Sequence, residues 1–235
     1  MHYLPLTGSS NDDARALALA GCPERTIAVA DEQRAGRGRL GRRWLAPPGS
    51  SILASIVLHR AVPSVLLTAM CSVAVVEAVN VTTGLAARIK WPNDVMIGDR
   101  KACGVLTEVL SQGDRAITVV GIGLNVNLAL PAASLPPTAT SLSAELGRPL
   151  DRRALLYEIL GRIDRYLALD DAALGAAVWD RWQILLWRRK QAVRVQQDGP
   201  TLYGVIEGIS SSGALRLRTP DGDLTEVAVG DVTAI

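Results

Sequence analysis

RAGRGRLGRRW, residues 34–44, decides how this chain is read, because several chemistries use such a stretch. Gly36, Gly38 and Gly41 stand in G-x-G-x-x-G spacing, and five of the eleven residues are Arg. A dinucleotide fingerprint needs those glycines between a strand and a helix, with an acidic residue some twenty positions on. Here TIAVA, 26–30, reads as a strand before the motif, Pro47-Pro48-Gly49 follows it, and SILASIVL, 51–58, resumes strand character. The stretch is therefore a strand-to-strand loop, and Ala61 to Ser64 carry no Asp or Glu. A nucleic-acid hook would track phosphates with the same Arg and Gly, but such hooks usually sit in flexible tails beside other basic segments. A solvated Arg-rich loop is the plainest alternative and stays open. What the residue types suit is a small phosphorylated ligand. Closely spaced Gly lets backbone N–H groups wrap an anion, while Arg37, Arg39 and Arg42 supply planar, permanently charged donors. Such a loop is expected to be mobile and self-repelling when empty and to order around negative charge.

The rest of the chain narrows the classes. At 235 residues it allows one large domain or a large one with a small appendage. Hydrophobic residues make up 49% and charged residues 20%, a folded rather than disordered profile. A formal charge of +2 is too even for a surface devoted to nucleic acid or membrane, so any basic function must be local. No secretory leader is expected at MHYLPLTGSSNDD, and no apolar stretch clearly of membrane-spanning length, so a cytoplasmic protein is expected. Cys22, Cys71 and Cys103 are odd in number and widely spaced, which suits buried thiols rather than disulfides or a metal motif. With His2 and His59 the only histidines, a His-ligated metal or a Ser-His-Asp site is disfavoured, and the chemistry falls to Lys, Arg, Asp and Asn.

Periodicity supplies the elements. Ser10 to Gly21 reads as a helix capped by Ser10 and closed by Gly21. Ser64 to about Thr82, whose only charge is Glu77, reads as a helix packed deep against a sheet. Short strands follow at 87–91, 95–97, 102–110 and 117–126, broken at Pro92, Gly98-Asp99 and Gln112-Gly113-Asp114; such short turns imply antiparallel neighbours. LALPAASLPPTATS, 128–141, must be a loop. Helical spacing returns over 151–169 and 174–186, and from Ala192 four short strands around Asp198-Gly199, Ser212-Gly213 and Asp221-Gly222 suggest a small β-barrel.

KWPNDV, 90–95, is the second cluster. Lys90 ends a strand, Pro92 turns the chain to present Asn93 and Asp94, and a hairpin at Gly98-Asp99 would return Lys101 to the same place. Either lysine alone reads best as an exposed strand-end charge. Two lysines with Asn and Asp around one hairpin point to function.

With both clusters in view, the sequence resembles the biotin protein ligases, which attach biotin to carrier domains of carboxylases. The parts come in the family's order: SSN at 9–11, Gln33, GRGRLGRRW at 36–44, KWPND at 90–94, Lys101–Gly104 and GIGLNVN at 121–127. The resemblance implies an α/β fold of α+β type: a mixed, largely antiparallel sheet flanked by helices, similar to class II synthetases. It places a catalytic domain at 1–188 and an SH3-like barrel at 189–235. It also implies an ATP-dependent enzyme that makes biotinyl-5′-AMP, releases pyrophosphate, and passes biotin to a lysine of a biotin carboxyl carrier protein domain.

Under the resemblance, Ser9, Ser10, Asn11 and Gln33 match positions that hydrogen-bond the biotin head, with Arg37, Gly38, Arg39, Lys101 and Gly104 completing the biotin site. Arg37, Gly38 and Arg39 match a loop that closes over ligand, and Lys101 matches the lysine at the reacting carboxylate and α-phosphate. Lys90 and Arg42 assist on phosphates, Asn93 belongs to the nucleotide site, and Trp44 and Asn125 meet adenine, although Trp44 also reads as a packing anchor. Asp94 is left with three roles: orienting a lysine, deprotonating the carrier amine or helping to place Mg²⁺. Mg²⁺ enters with ATP, and no tightly bound metal is expected. Ser10 stands where Thr is usual, keeping the hydroxyl and losing a methyl. Ala102 and Cys103 stand where Leu and Ala are common, which makes Cys103 a small core residue. Some relatives carry an N-terminal helix-turn-helix; with the first motif at Ser9, no DNA or membrane partner is expected, and a homodimer is left open. Lipoate or octanoyl transfer, on the same catalytic fold, and nucleic-acid binding are the rivals.

Overall fold

The structure, a computed structural model, describes residues 1–112, 115–128, 136–197 and 199–235. The turn expected at Gly113-Asp114, most of the Pro-rich loop and Asp198 of the Asp198-Gly199 turn lie outside the described residues.

Seven strands form the larger sheet: β1 (His2–Thr7), β2 (Ile27–Gln33), β3 (Ser51–Leu58), β4 (Ala87–Lys90), β5 (Asp94–Ile97), β6 (Arg100–Gln112) and β7 (Arg115–Asn125), in the order β1-β2-β3-β7-β6-β5-β4. Every neighbouring pair is antiparallel except β1 with β2, so the sheet is mixed and largely antiparallel, as expected. The parallel pair needs a crossover, and helix α1 (Ser10–Leu19) provides it. β1 escapes sequence reading because it is a half-exposed edge strand interrupted by Pro5.

Two faces of the sheet have different characters, set by the period-2 alternation of each strand. From β3, Ile52, Ala54, Ile56 and Leu58 enter the main core beneath helix α2 (Ser64–Thr83), with Val120, Ile122 and Leu124 of β7 beside them. α2 is apolar nearly all round because it lies between the sheet and two further helices, α4 (Arg152–Leu167) and α5 (Asp171–Leu185). By length and composition α2 is long and apolar enough to cross a membrane, which corrects the expectation that no stretch is; here two thirds of it is buried inside the fold. On the opposite face α1 covers a small cluster of Ala14, Ala18, Ala28, Val57, Leu110, Ile117 and Val119.

Local signals explain the helix ends. Gly21 (φ 78°) closes α1, with Gly21 N–H bonded to Ala18 C=O and Cys22 N–H to Leu17 C=O, the Schellman pattern. The start differs from expectation: Ser9, not Ser10, is the cap position, and no side chain caps it. Ser10 is already helical, and its hydroxyl points into the sheet to Ser55 instead. A short helix α3 (Leu142–Leu146), capped by Ser141 onto Ala144 N–H, follows the Pro-rich stretch and is too brief to show a period.

β8 (Ala192–Gln196), β9 (Leu202–Ile209), β10 (Leu215–Arg218), β11 (Leu224–Val227) and β12 (Asp231–Ala234) make a second antiparallel sheet in the order β11-β10-β9-β8-β12. The expected barrel is not closed: β11 and β12 are the two edges and do not pair with each other. With four to eight residues per strand, curvature brings the inner side chains together without bringing the edges within hydrogen-bonding reach. The sheet is fastened to the rest of the fold by Trp91 Nε1–H to Gly213 C=O (3.0 Å) and by Gln183 Nε2–H of α5 to Ile209 C=O (2.7 Å), while Trp187 N–H to Ile89 C=O (2.8 Å) ties the segment after α5 to β4.

Glu77, the lone charge of α2, is held by Arg181 Nε at 2.6 Å and an Arg162 nitrogen at 3.2 Å, tying the three core helices together. Glu77→Ala strands the Arg181 guanidinium and leaves Arg162 with Glu158 alone, at 2.8 Å. It is expected to lower unfolding stability in urea by about 2–3 kcal/mol, less than for a fully buried pair because Arg181 keeps contact with water. A loss below about 0.5 kcal/mol, the exposed-pair range, would show the cluster to be incidental.

Candidate active site

A cavity of about 280 Å³ opens on the α1 face of the larger sheet. Its floor is nearly bare of side chains: Gly104 of β6 and Gly121 and Gly123 of β7 face it. A Cβ on Gly123 would sit 2.7 Å from the Trp44 ring, and one on Gly121 would sit 2.1 Å from Asn11 Oδ1. Those glycines therefore let an indole and an amide lie directly on the strands.

One end of the cavity is a buried polar cluster supplied by the start of α1 and by β2 and β3. Ser9, Ser10 and Asn11 are each about nineteen-twentieths buried or more. Ser10 N–H donates to Gln33 Oε1 at 2.7 Å, Ser10 and Ser55 hydroxyls are 2.7 Å apart, and Ser55 donates to Asn11 Oδ1 at 2.6 Å. Asn11 Nδ2–H donates to Glu108 Oε2 at 2.7 Å.

The Arg-Gly loop roofs the cavity as a tight hairpin. Gly38 N–H donates to Arg42 C=O (2.7 Å), Trp44 N–H to Gly36 C=O (2.9 Å), and Arg37 bridges Arg43. A Cβ at Gly36 would lie 2.7 Å from Trp44 O, so only glycine fits that crossing. The tip holds Leu40 at φ 57° and Gly41 at φ 71°. The short 3₁₀ turn there, Arg39–Gly41, is no dinucleotide helix, in line with the strand-to-strand reading.

The arginines radiate from this hairpin to separate partners. Arg37 makes a two-pronged pair with Asp12 (2.7 Å twice) and approaches Glu108 at 3.7 Å. Arg39 donates to Asn93 Oδ1 at 3.1 Å, and Arg42 to Asp231 at 3.1 Å. The self-repulsion expected of the loop is thus relieved by Asp12 and Asp231. Hydrogen bonding to Arg37 holds the Asp12 carboxyl below its ordinary range. For Asp231, burial pushes upward but the nearby Lys90 and Arg42 charges outweigh it, and its pKa is likewise lowered.

Opposite the loop stands the KWPND turn. Lys101 Nζ is 2.6 Å from Asp94 Oδ1 and 5.6 Å from the Trp44 ring centroid, so carboxylate and aromatic face fix one ammonium together. Asn93 donates to Val105 C=O at 2.7 Å, and Asn125 Nδ2–H to Thr140 C=O at 3.0 Å. Asn125 Oδ1 and Trp44 Nε1 are buried without a hydrogen-bond partner among the described residues, leaving an acceptor and a donor for a ligand that carries both.

Fourteen of the fifteen residues singled out from sequence line this cavity: Ser9, Ser10, Asn11, Gln33, Arg37, Gly38, Arg39, Arg42, Trp44, Asn93, Asp94, Lys101, Gly104 and Asn125. Lys90 is not on the wall; it pairs with Asp231 at 3.3 Å. Sequence reading missed Ser55, Glu108, Gly121, Gly123 and Asp231. Alternating Gly in GIGLN could have revealed the bare floor, but nothing local marks Asp231, which reaches the site only because the second sheet docks there. Cys103 is a core residue, and burial pushes its thiol up.

A cavity with a buried polar head end, a strand floor of glycines and a roof of arginines has the form of a site for an organic ligand beside an anionic one. The chain belongs to the biotin/lipoate A/B protein ligase family, which it matches over residues 6–125, and it matches the biotin protein ligase C-terminal domain over 191–233. It is 34% identical to the bifunctional ligase/repressor BirA of Bacillus spizizenii, covering 94% of this chain and 70% of that protein. It is also 34% identical to the biotin–(acetyl-CoA-carboxylase) ligase of Paracoccus denitrificans, over 92% and 94% of the two chains. Among solved structures, the biotin protein ligase of Aquifex aeolicus in complex with biotin and ATP superposes with a TM-score of 0.84 at 28% identity, covering 98% of this chain and 96% of that one.

Because Asp12 and Asp231 have folded pKa values below the ordinary 3.8, the stability their pairs contribute is present above that value and lost as pH falls through the lowered ones. Amide-exchange protection over 36–44, corrected for intrinsic rate, is expected to stay level from about pH 5 to 8 and to fall only in stronger acid. A transition centred near neutrality would contradict the assignment.

Proposed function

We infer that this chain is an ATP-dependent biotin protein ligase: it activates biotin as biotinyl-5′-AMP, releases pyrophosphate, and transfers the biotinyl group to a lysine of a carboxylase's carrier domain. The observation that carries this reading is one cavity joining a donor–acceptor cluster of buried Ser10 and Asn11 with half-buried Gln33 to the cations Arg39, Arg42 and Lys101. An acid with a polar ring fits one end, and phosphates fit the other. We keep 1–188 as the catalytic unit and 189–235 as the C-terminal unit, with Asp231 the latter's contribution to the site, and we place the enzyme in the cytoplasm, where ATP is supplied.

In the first step a biotin carboxylate oxygen attacks the α-phosphorus of ATP, and the bond to the pyrophosphate oxygen breaks. Two anions must meet, so the main barrier is electrostatic. Lys101, already aimed by Asp94 and the Trp44 face, supplies positive charge where it accumulates. Arg39 and Arg42 take the phosphate oxygens, Arg42 exchanging Asp231 for them, and Lys90 assists through the same carboxylate. Asn125 Oδ1 and Trp44 Nε1 supply the unpaired acceptor and donor for the nucleotide base. Arg37 and Gly38 hold the roof over the acyl phosphate and keep water from it.

Among the described residues no group of three or more His, Cys, Asp or Glu is arranged to hold a metal ion. Asp94 and Asp231 are each committed to cations. Mg²⁺ would enter with ATP, with Asp94 and Asp231 the nearest carboxylates of the site, and when bound would offset charge on the departing pyrophosphate. In the second step the carrier lysine's ε-amine attacks the acyl carbon, the anhydride C–O bond breaks and AMP departs. Asp94 stands where it can accept the amine's proton.

Biotin-dependent exchange of labelled pyrophosphate into ATP, run beside lipoic acid, tests the first step without a carrier protein. Lys101→Ala is expected to lower that exchange about a hundredfold or more with the fold intact. Exchange supported by lipoic acid instead would move the protein to the lipoate branch of the same family. Well-folded protein inactive with both acids would overturn the reading.

A further inference from the structure

Glu108 lies behind the head end of the cavity and is not part of its wall. It is nevertheless the side chain, half-buried against this cluster, whose hydrogen-bonding direction is fixed by its own chemistry. An ionised carboxylate only accepts. Asn11 must therefore turn its NH₂ toward Glu108 (2.7 Å), which leaves Asn11 Oδ1 facing Ser55. That oxygen can only accept, so the single Ser55 hydroxyl proton is spent on it, at 2.6 Å. Ser10 Oγ, 2.7 Å from Ser55 Oγ, must then donate its own proton to Ser55. The relay ends with Ser10 presenting lone pairs, and no proton, to the cavity.

Asn11 and Ser10 are 5% exposed and Ser55 is fully buried, so water does not compete for the two links from Asn11 through Ser55 to Ser10, whereas Glu108 keeps one side toward solvent. Gly121 locks the geometry, because any Cβ there would strike Asn11 Oδ1. On the other side Gln33 Oε1 is used by Ser10 N–H, which leaves the Gln33 Nε2 protons as donors. The head end is thus polarised, an acceptor at Ser10 and a donor at Gln33. Arg37 at 3.7 Å from Glu108 links the same carboxylate to the roof loop.

We propose that Glu108 is a positioning residue that sets the polarity of this relay and so selects acids whose ring carries an N–H beside a carbonyl, a cyclic urea above all, over ring acids with no N–H. This rests on the biotin ligase reading. The amide of Glu108→Gln can offer Asn11 either an oxygen or an NH₂. In the second case each link reverses, Ser55 donates to Ser10, and Ser10 turns its proton into the cavity against the ligand's N–H.

The test is steady-state pyrophosphate exchange on the full chain, with direct titration calorimetry of biotin as a readout that needs no turnover. Glu108→Gln is expected to raise the KM and Kd for biotin about tenfold, with the loss in KM rather than kcat, and to leave the rate with lipoic acid at its wild-type level. In a Ser10→Ala background, where the last link is gone, Glu108→Gln is expected to add no further loss. Glu108→Asp, still an acceptor only, is expected to retain more biotin affinity than Glu108→Gln, and it serves as the test if the Gln variant does not fold. An unchanged biotin Kd in Glu108→Gln, or losses that simply add with Ser10→Ala, would overturn the proposal. A wild type that binds biotin without exchange would count against the ligase reading alone.

Discussion

Everything at this site depends on how closely side chains approach the face of β6 and β7. Gly104, Gly121 and Gly123 leave that face without Cβ atoms, so the Trp44 ring and the Asn11 amide rest on backbone. A methyl group at two of those positions would sit closer than van der Waals contact allows. Trp44 in turn provides the aromatic surface beside Lys101, and Asn11 carries the relay from Glu108 to Ser10. The bare strip therefore serves both ends of the cavity, the polar head end and the charged reacting end.

The second constraint is charge. A hairpin with five arginines in eleven residues is unfavourable by itself, and the fold answers with carboxylates from distant segments: Asp12 from α1 for Arg37, and Asp231 from β12 for Arg42 and Lys90. These pairs are partly exposed and modest in energy. Their value lies in orientation, since each guanidinium is held near the cavity. Asp231 also gives the small sheet a chemical stake in the site although its strands do not close into a barrel.

Much of this was legible beforehand because the signals are local. The Arg-Gly stretch, KWPND and GIGLN each carry their chemistry within a few residues, and turn residues at Pro92 and Gly98-Asp99 fixed how the hairpin returns Lys101 beside Asp94. The buried helix over 64–83 announced itself by composition. β1 and α3 were not legible: one is a Pro-containing edge strand with little burial, the other a single turn. The role of Ser10 was half legible; its side chain looked like a cap, and the sheet beneath offered Ser55 as a better partner.

From sequence alone came the elements with strong periods, the residue types of the site, and the pairing of loop and hairpin whose resemblance to the biotin protein ligases implies acid activation. These follow from backbone preferences and from chemistry that short motifs carry intact. Tertiary structure alone decided that Asp231 meets Arg42, that Lys90 stands off the cavity wall, that the second sheet stays open, and that Glu108 governs Ser10 through two intermediaries. The ion pairs and the relay are contacts between groups 30 or more positions apart, set by sheet register and by how two sheets dock. No local preference encodes a hydrogen bond's direction across four side chains, because that direction is fixed only once burial has removed water as an alternative partner.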